Sequence, residues 1–202
     1  YDPAPAESYV EWTGEIADGG LRKGYLAQEL SPDELALPVW AFCQACPAFE
    51  GTGPRELDRA ARRVGLDAGL FWDDRPMSTL SGGERVKLRL ALLLLDEPGL
   101  LLLDEPSNDL DVATLEWLEE FLLSCPVSVL YISHDESLLE HTANLIIHLE
   151  RLRRRTASRC TVARMDYSRY VREREAGFAR QEQAAGEERR AYEAKMEKFR
   201  QI

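Results

Sequence analysis

The sequence predicts an α/β fold with a mostly parallel sheet, followed by one long C-terminal helix. Four consecutive leucines at 100–103, bounded by Pro98-Gly99 and an acidic pair, are typical of a strand buried inside a parallel sheet. Apolar residues recur every seven positions from Val171 to Phe199, which is typical of a helix. A chain of 202 residues is long enough for one domain with an appendage.

Charge is distributed unevenly along the chain. Residues 1–150 carry a net charge of −18, whereas residues 151–202 hold 15 basic and eight acidic residues, a net charge of +7. A basic segment on an acidic body indicates an arm that binds a polyanion, and the alternative is a solvated, charged helix. No apolar run approaches the length needed to cross a bilayer, and four cysteines suit a reduced cytosol better than a disulfide framework.

Two carboxylates, Asp104 and Glu105, directly follow the leucine strand. Buried charge is costly unless it is paired or bound to a metal, and ligands of open α/β sheets bind at the carboxyl ends of the strands. An acidic pair at that place suits Mg²⁺ and a polarised water. The run Ser81-Gly82-Gly83 precedes a predicted helix over 83–95, and its unhindered N–H groups suit a phosphate.

The letters LLLLDEP occur twice, at 92–98 and at 100–106. After the glycine run the chain needs about 12 residues of helix before it can return as a strand, and Pro98 and Gly99 end that helix. We therefore assign the site to Asp104 and Glu105 and expect Asp96 and Glu97 to lie in an exposed loop.

The other predicted elements are short. The pair Cys43/Cys46 has no further metal ligands nearby and lies among aromatic residues, so packing inside a helix is the expected role. Strands are predicted at 9–12, 24–26, 127–132 and 145–149, and helices from 32, over 56–64, over 114–123 and from 167 to the end.

Three motifs, LSGGE at 80–84, LLLLDEPSNDLD at 100–111 and ISHD at 132–135, resemble in this order the signature motif, Walker B with D-loop, and H-switch of ATP-binding cassette (ABC) ATPases. Gln28 in YLAQE is similar to the Q-loop glutamine. The form EPSNDLD and the stretch DYSRY at 166–170 further resemble the ABC-F branch, soluble twin-cassette proteins that act on ribosomes.

The resemblance implies a domain organisation and a set of roles. Residues 1–150 would be a partial cassette with its helical subdomain at about 31–95, and 151–202 a basic linker whose long helix is the first arm of a truncated helical hairpin. ATP and Mg²⁺ would be the cofactors. Asp104 would hold Mg²⁺, and Glu105 would be the general base. Gln28 would reach the metal and the attacking water, and His134 would contact the γ-phosphate. Asp111 would link two nucleotide sites, and the nucleotide itself would be contacted by Ser81, Gly82, Gly83 and Glu84.

The P-loop pattern G-x-x-x-x-G-K-[ST] is missing from the sequence. The chain also starts at Tyr1 without a methionine. We therefore expect a fragment of the first cassette, inactive alone, from a cytoplasmic ATPase that serves translation or antibiotic protection of the ribosome. Its expected partners are a second cassette in the same parent chain and ribosomal RNA bound by the basic tail, with no membrane. Two alternatives are the nucleotide-binding subunit of an ABC transporter and a non-catalytic interaction fragment.

Overall fold

A three-stranded parallel sheet forms the centre of the first of two compact units, 1–138 and 139–202. The computed structural model describes residues 17, 19–151 and 158–200. The strands β1 (Lys23–Leu26), β2 (Leu100–Asp104) and β3 (Ser128–Ile132) lie side by side in the order β1-β2-β3. Leu26 pairs with Leu103, and Asp104 pairs with Ile132, so the three carboxyl ends meet at one edge.

Helices occupy the chain between and after the strands. Between β1 and β2 lie four short helices, two 3₁₀ turns and one longer helix. After β2 come the crossover helix that leads to β3 and a short helix that follows β3. They are α1 (Pro32–Ala36), α2 (Val39–Gln44), α3 (Pro47–Glu50), α4 (Pro54–Arg63), turns at Ala68–Trp72 and Met77–Thr79, α5 (Gly82–Leu95), α6 (Val112–Ser124) and α7 (Glu136–Thr142).

The apolar core lies on one face of the sheet. Leu26, Leu101 and Leu103 are almost fully buried there, together with Leu88 of α5 and Leu118 of α6. Gly24 in β1 allows a close approach, because a Cβ at that position would lie 2.9 Å from Leu101 Cδ2 and 3.4 Å from Leu93 Cβ.

The opposite face of the sheet is open. Side chains alternate along a strand, so Tyr25, Leu130 and Ile132 point away from the core, and they are 48%, 45% and 62% exposed. The sheet of the first unit is therefore covered on one side by the described residues.

The second unit consists of a β-hairpin and the long helix. The strands β4 (Ile146–Arg151) and β5 (Ser158–Ala163) are antiparallel, and α8 runs over Tyr167–Arg200. Arg174 of α8 bonds to Nδ1 of His148 at 2.8 Å and pairs with Glu150 at 3.6 Å. These contacts fix the first turns of α8 against β4. No helix among the described residues has the length and apolar character required to span a bilayer.

The predicted α/β class, the parallel sheet, the helical region before β2 and the long final helix are confirmed. The strand β5 and the helix α7 were not predicted, and the strand predicted at 9–12 lies outside the described residues. The contacts divide the chain between Leu138 and Leu139, earlier than the expected cassette boundary at 150, because β4 pairs with β5. The assignment of residues 1–150 to the cassette stays a prediction.

We expect Leu101→Ala to lower the free energy of unfolding by about 2–5 kcal/mol, because Leu101 is fully buried at the centre of β2. Leu130→Ala on the open face is the matched control and should cost clearly less, since Leu130 is 45% exposed. Urea unfolding of the two variants checks this. Equal losses would show that the open face is covered in solution.

Candidate functional site

Three predicted site residues lie at the carboxyl edge of the sheet. Gln28 comes two residues after β1, Glu105 directly follows β2, and His134 comes two residues after β3. Because the strands are parallel and in register, each of these residues leaves its strand at the same edge. This is the edge at which open α/β sheets bind their ligands.

Glu105 is the only buried charged residue in the described part of the chain, at 7% exposure. Its backbone N–H donates to the carbonyl of Ile132 at 2.9 Å, which continues the pairing of β2 with β3. Its φ of 46° lies in the left-handed region, which is unfavourable for a residue with a Cβ. Glu97 and Asp109 share this conformation, with φ of 45° and 59°.

Both oxygens of the Glu105 carboxylate bond to His134. Oε2 accepts the backbone N–H of His134 at 3.2 Å, and Oε1 lies 2.9 Å from its Nε2. The side chain of His134 is 90% exposed, whereas that of Glu105 is 7% exposed. The pair thus connects a buried base to an imidazole at the surface.

Asp104, the last residue of β2, lies partly buried beside Glu105. Its Oδ2 accepts a hydrogen bond from the hydroxyl of Tyr25 at 3.2 Å. Tyr25 was not predicted as a site residue. The strand alternation could have indicated it, because Tyr25 pairs with Leu102, which points to the same face as Asp104.

The serine-glycine turn opens α5 with a capping box. Ser81 Oγ accepts the N–H of Glu84 at 3.1 Å, and the Glu84 carboxylate accepts the N–H of Ser81 at 2.8 Å. The same carboxylate accepts a bond from Arg75 at 3.1 Å. The backbone bond from Ser81 and then the Arg75 side chain hold the pKa of Glu84 below its usual range. The structure therefore gives Glu84 a local role, and its contact with nucleotide stays a prediction.

Gly82 lies against the loop that follows β2, and Gly83 lies against the first turn of α6. A Cβ on Gly82 would be 2.4 Å from the carbonyl oxygen of Asp109, and a Cβ on Gly83 would be 2.6 Å from Thr114 Oγ1. Both distances are shorter than real Cβ contacts, so only glycine fits without displacement. The predicted signature turn and the predicted D-loop are therefore in direct contact within one chain.

Asp111 caps α6. Its Oδ1 accepts the N–H of Thr114 at 2.8 Å, and φ and ψ of Asp111 are extended, as in a usual N-cap. Hydrogen bonds from the Thr114 side chain and backbone hold the pKa of Asp111 below its usual range. Asp111 thus fixes Thr114 next to Gly83. Its predicted role between two nucleotide sites is a separate matter and stays a prediction.

The other Asp-Glu pair, in the LLLLDEP sequence at 92–98, lies in a loop, as the length of the preceding helix predicted. α5 ends at Leu95, and Asp96 and Glu97 form the exposed turn before β2. Arg22 pairs with Asp96 at 3.6 Å on the surface. Asp96 and Glu97 therefore lie outside the strand edge, at the amino end of β2.

Cys43 and Cys46 are both free thiols. Cys43 is fully buried in α2, and burial followed by the nearby Cys46 raises the pKa of its thiol to about 12. A protonated thiol is a poor nucleophile and metal ligand. Within the described ranges, no group of three metal-ligating side chains comes together. The packing interpretation of the cysteines is therefore supported.

Parallel strands with an acidic pair at their carboxyl edge, and a glycine turn that opens a helix, are typical of nucleotide-binding α/β domains. Residues 20–108 match the family model described as ABC transporter. Residues 20–108 are therefore similar to an ABC ATPase cassette.

Curated relatives are similar to parts of this chain. The energy-dependent translational throttle protein EttA of Mycobacterium tuberculosis is 47% identical over 78 residues, which are 39% of this chain and 14% of that protein. The ATP-binding protein YdiF of Bacillus subtilis is 35% identical over 122 residues, 59% of this chain and 19% of that protein. The chain thus spans less than a fifth of the length of these relatives.

A solved structure shares the fold. It is a metal-chelate type ABC transporter in an inward-facing conformation, with a TM-score of 0.50 and 17% identity over 71% of this chain and 73% of that chain. At this identity the likeness concerns the fold alone.

The contact between Gly83 and Thr114 can be tested with a pair of substitutions. We expect Gly83→Ala to destabilise the chain, because the new methyl group would meet Oγ1 and Cγ2 of Thr114 at 2.6 and 2.8 Å. Thr114→Ala removes both atoms and should recover most of the loss in the double variant. Gly82→Ala meets backbone instead, so Thr114→Ala should not rescue it. Thermal unfolding of the three single and two double variants gives the coupling, and purely additive effects of Gly83→Ala and Thr114→Ala would contradict the contact.

Proposed function

We propose that this chain is part of the first cassette of an ABC-F-like, ribosome-associated ATPase. The observation that carries the catalytic part is the buried Glu105, held at the carboxyl end of β2 by His134 after β3. The ribosomal part is supported by the EttA relatives, whose name describes a throttle of translation, and by the ABC-F form of residues 105–111 and 166–170.

In this proposal the residues at the carboxyl edge of the sheet have different roles in ATP hydrolysis. Asp104 holds Mg²⁺ through water, and Glu105 accepts a proton from the attacking water. His134 keeps the Glu105 carboxylate oriented and faces the γ-phosphate, while Gln28 orients the water. Mg²⁺ is usually held by one or two carboxylates together with substrate phosphates, which fits an edge that has acids but no cluster of three ligands in the described residues.

The phosphates need groups that this sequence does not contain. No G-x-x-x-x-G-K-[ST] pattern occurs in the 202 residues, so the amides, the lysine and the hydroxyl of a P-loop have to come from elsewhere in a longer protein. Without them the acids of the edge repel a nucleotide. We therefore propose that the chain alone is inactive and that a second cassette in the same protein completes the nucleotide sites.

The signature turn and Asp111 would face that second cassette. Ser81 and Asp111 are both exposed, and the glycine contacts connect them into one surface. This surface could serve a nucleotide held by the other cassette. We also propose that the protein is cytoplasmic and that it acts in translation or in antibiotic protection of the ribosome.

The absent P-loop also favours a second candidate, a non-catalytic interaction fragment. It requires the same fold but no hydrolysis in any longer form of the protein. A transporter subunit is the other alternative, and it would need a partner in the membrane.

In the longer natural protein, we expect Glu105→Gln to lower ATP turnover by about a hundredfold or more while ATP binding is kept, because the amide retains the shape but cannot accept a proton. Glu97→Gln is the matched control, since Glu97 lies in the turn at the other end of β2. Steady-state turnover and nucleotide binding are measured for both variants. A dead Glu97 variant, or an active Glu105 variant, would contradict the proposal.

We expect the basic segment to bind ribosomal RNA through its arginines. In α8 two arginines are neutralised by glutamates four residues later, at Arg169/Glu173 and Arg189/Glu193, so the charge excess lies mainly before the helix. Filter binding of the full chain should weaken several-fold between about 50 and 200 mM salt.

Two matched sets of substitutions test whether RNA binding depends on the arginines of this basic segment or only on the number of arginines in the chain. Replacing Arg151, Arg153, Arg154 and Arg155 by glutamine should abolish most of the RNA binding, whereas replacing Arg55, Arg59, Arg62 and Arg63 of the acidic body should not. Binding that is insensitive to salt, or equally reduced by both sets, would leave the tail as a connector only.

A further inference from the structure

Arg89 lies on α5, a helix that also carries the fully buried Leu88, Leu90 and Ala91. Arg89 itself is partly buried, and its Nη2 donates to the carbonyl of Ala27 at 2.7 Å, across 62 residues of chain. Taking a guanidinium even partly out of water is costly unless it has partners, so this contact needs an explanation.

The surroundings of Arg89 supply partners from one short segment. Besides the Ala27 carbonyl, the charge of Glu34 in α1 and the Tyr25 phenol act on the guanidinium, and burial lowers the pKa of Arg89 from its very high normal value. Glu34 is in turn held by Ser31, whose N–H donates to Oε2 at 2.7 Å. The hydrogen bonds from Ser31 and, less strongly, the charge of Arg89 keep the pKa of Glu34 low.

These contacts fix both ends of the loop between β1 and α1. At its far end, the capping box of Ser31 and Glu34 begins α1. At its near end, Arg89 holds the carbonyl of Ala27, which belongs to the same peptide unit as the N–H of Gln28. Gln28 therefore begins at a fixed peptide plane while its side chain is exposed.

We propose that Arg89 is a positioning residue that fixes Gln28 to the helix carrying the Ser81-Gly82-Gly83 turn. α5 begins at this turn and holds Arg89 two helical turns later. A movement of α5 would then move the peptide of Gln28 relative to Asp104 and Glu105. This inference rests on the proposed ATPase function for its catalytic consequence, but the anchoring itself does not depend on it.

Arg89 could anchor the Ala27 carbonyl through its charged N–H donors, or it could only fill space, and substitutions distinguish these two roles. Arg89→Met keeps most of the volume and removes the donors, whereas Arg89→Lys keeps one ammonium donor on a flexible stem. If Arg89 only fills space, methionine should serve well. If it anchors the Ala27 carbonyl, methionine should release the loop and lysine should restore it in part.

The first measurement uses the full chain and ¹⁵N relaxation. In Arg89→Met we expect the order parameters of Gln28 and Glu29 to fall from about 0.85 toward 0.6, while that of Leu26 in β1 is unchanged. Arg89→Lys should lie between the two. The control is Arg62→Met, which removes an exposed arginine paired with Asp58 at 2.7 Å. Unchanged order parameters at Gln28 in Arg89→Met, or an equal loss throughout β1 and α5 in both Arg89 variants, would overturn the anchoring.

The second measurement is ATP turnover of the longer natural protein with the same substitutions. We expect Arg89→Met to lower kcat several-fold with KM nearly unchanged, with partial rescue in Arg89→Lys and no effect of Arg62→Met. A loosened loop with unchanged kcat would overturn the positioning role. If the unsubstituted protein hydrolyses no ATP, the proposed function fails, and the relaxation data still decide whether Arg89 anchors Gln28.

Discussion

The bond between the buried carboxylate of Glu105 and His134 connects the fold to the chemistry of this chain. Two groups of one residue reach this carboxylate, the backbone N–H and Nε2 of His134. Both arrive there because β2 and β3 are parallel and in register. The crossover helix α6 and its cap at Asp111 are needed to bring the chain back in that direction.

A second set of contacts joins this edge to the helical region. The glycine turn at the start of α5 touches the loop after β2, and Arg89 on the same helix touches the loop after β1. One helix therefore contacts the segments that follow two of the three strands. The arrangement gives α5 a direct mechanical connection to Gln28 and to Asp109, although these residues are far apart in sequence.

Much of this arrangement could be predicted from local patterns. The leucine run, Pro98 and Gly99 placed β2 and distinguished Asp104 and Glu105 from their duplicates, because a helix and a strand need different lengths. The helix starts predicted at 32 and at 83 agree to within one residue with α1 at Pro32 and α5 at Gly82. Contacts between residues far apart in sequence could not be predicted from local patterns. Arg89 and Tyr25 bond to partners 62 and 79 residues away, and β5 has a mixed sequence whose strand character comes from pairing with β4.

The left-handed backbone of Glu105 has a consequence for how this loop can change during evolution. At a φ of 46° glycine is the relaxed residue, so selection for stability alone favours losing the side chain at that position. Glu97 has nearly the same φ, 45°, and no predicted role, so it is the internal comparison. If glycine replaces Glu97 more freely than Glu105, the carboxylate at 105 is retained for a reason other than the backbone.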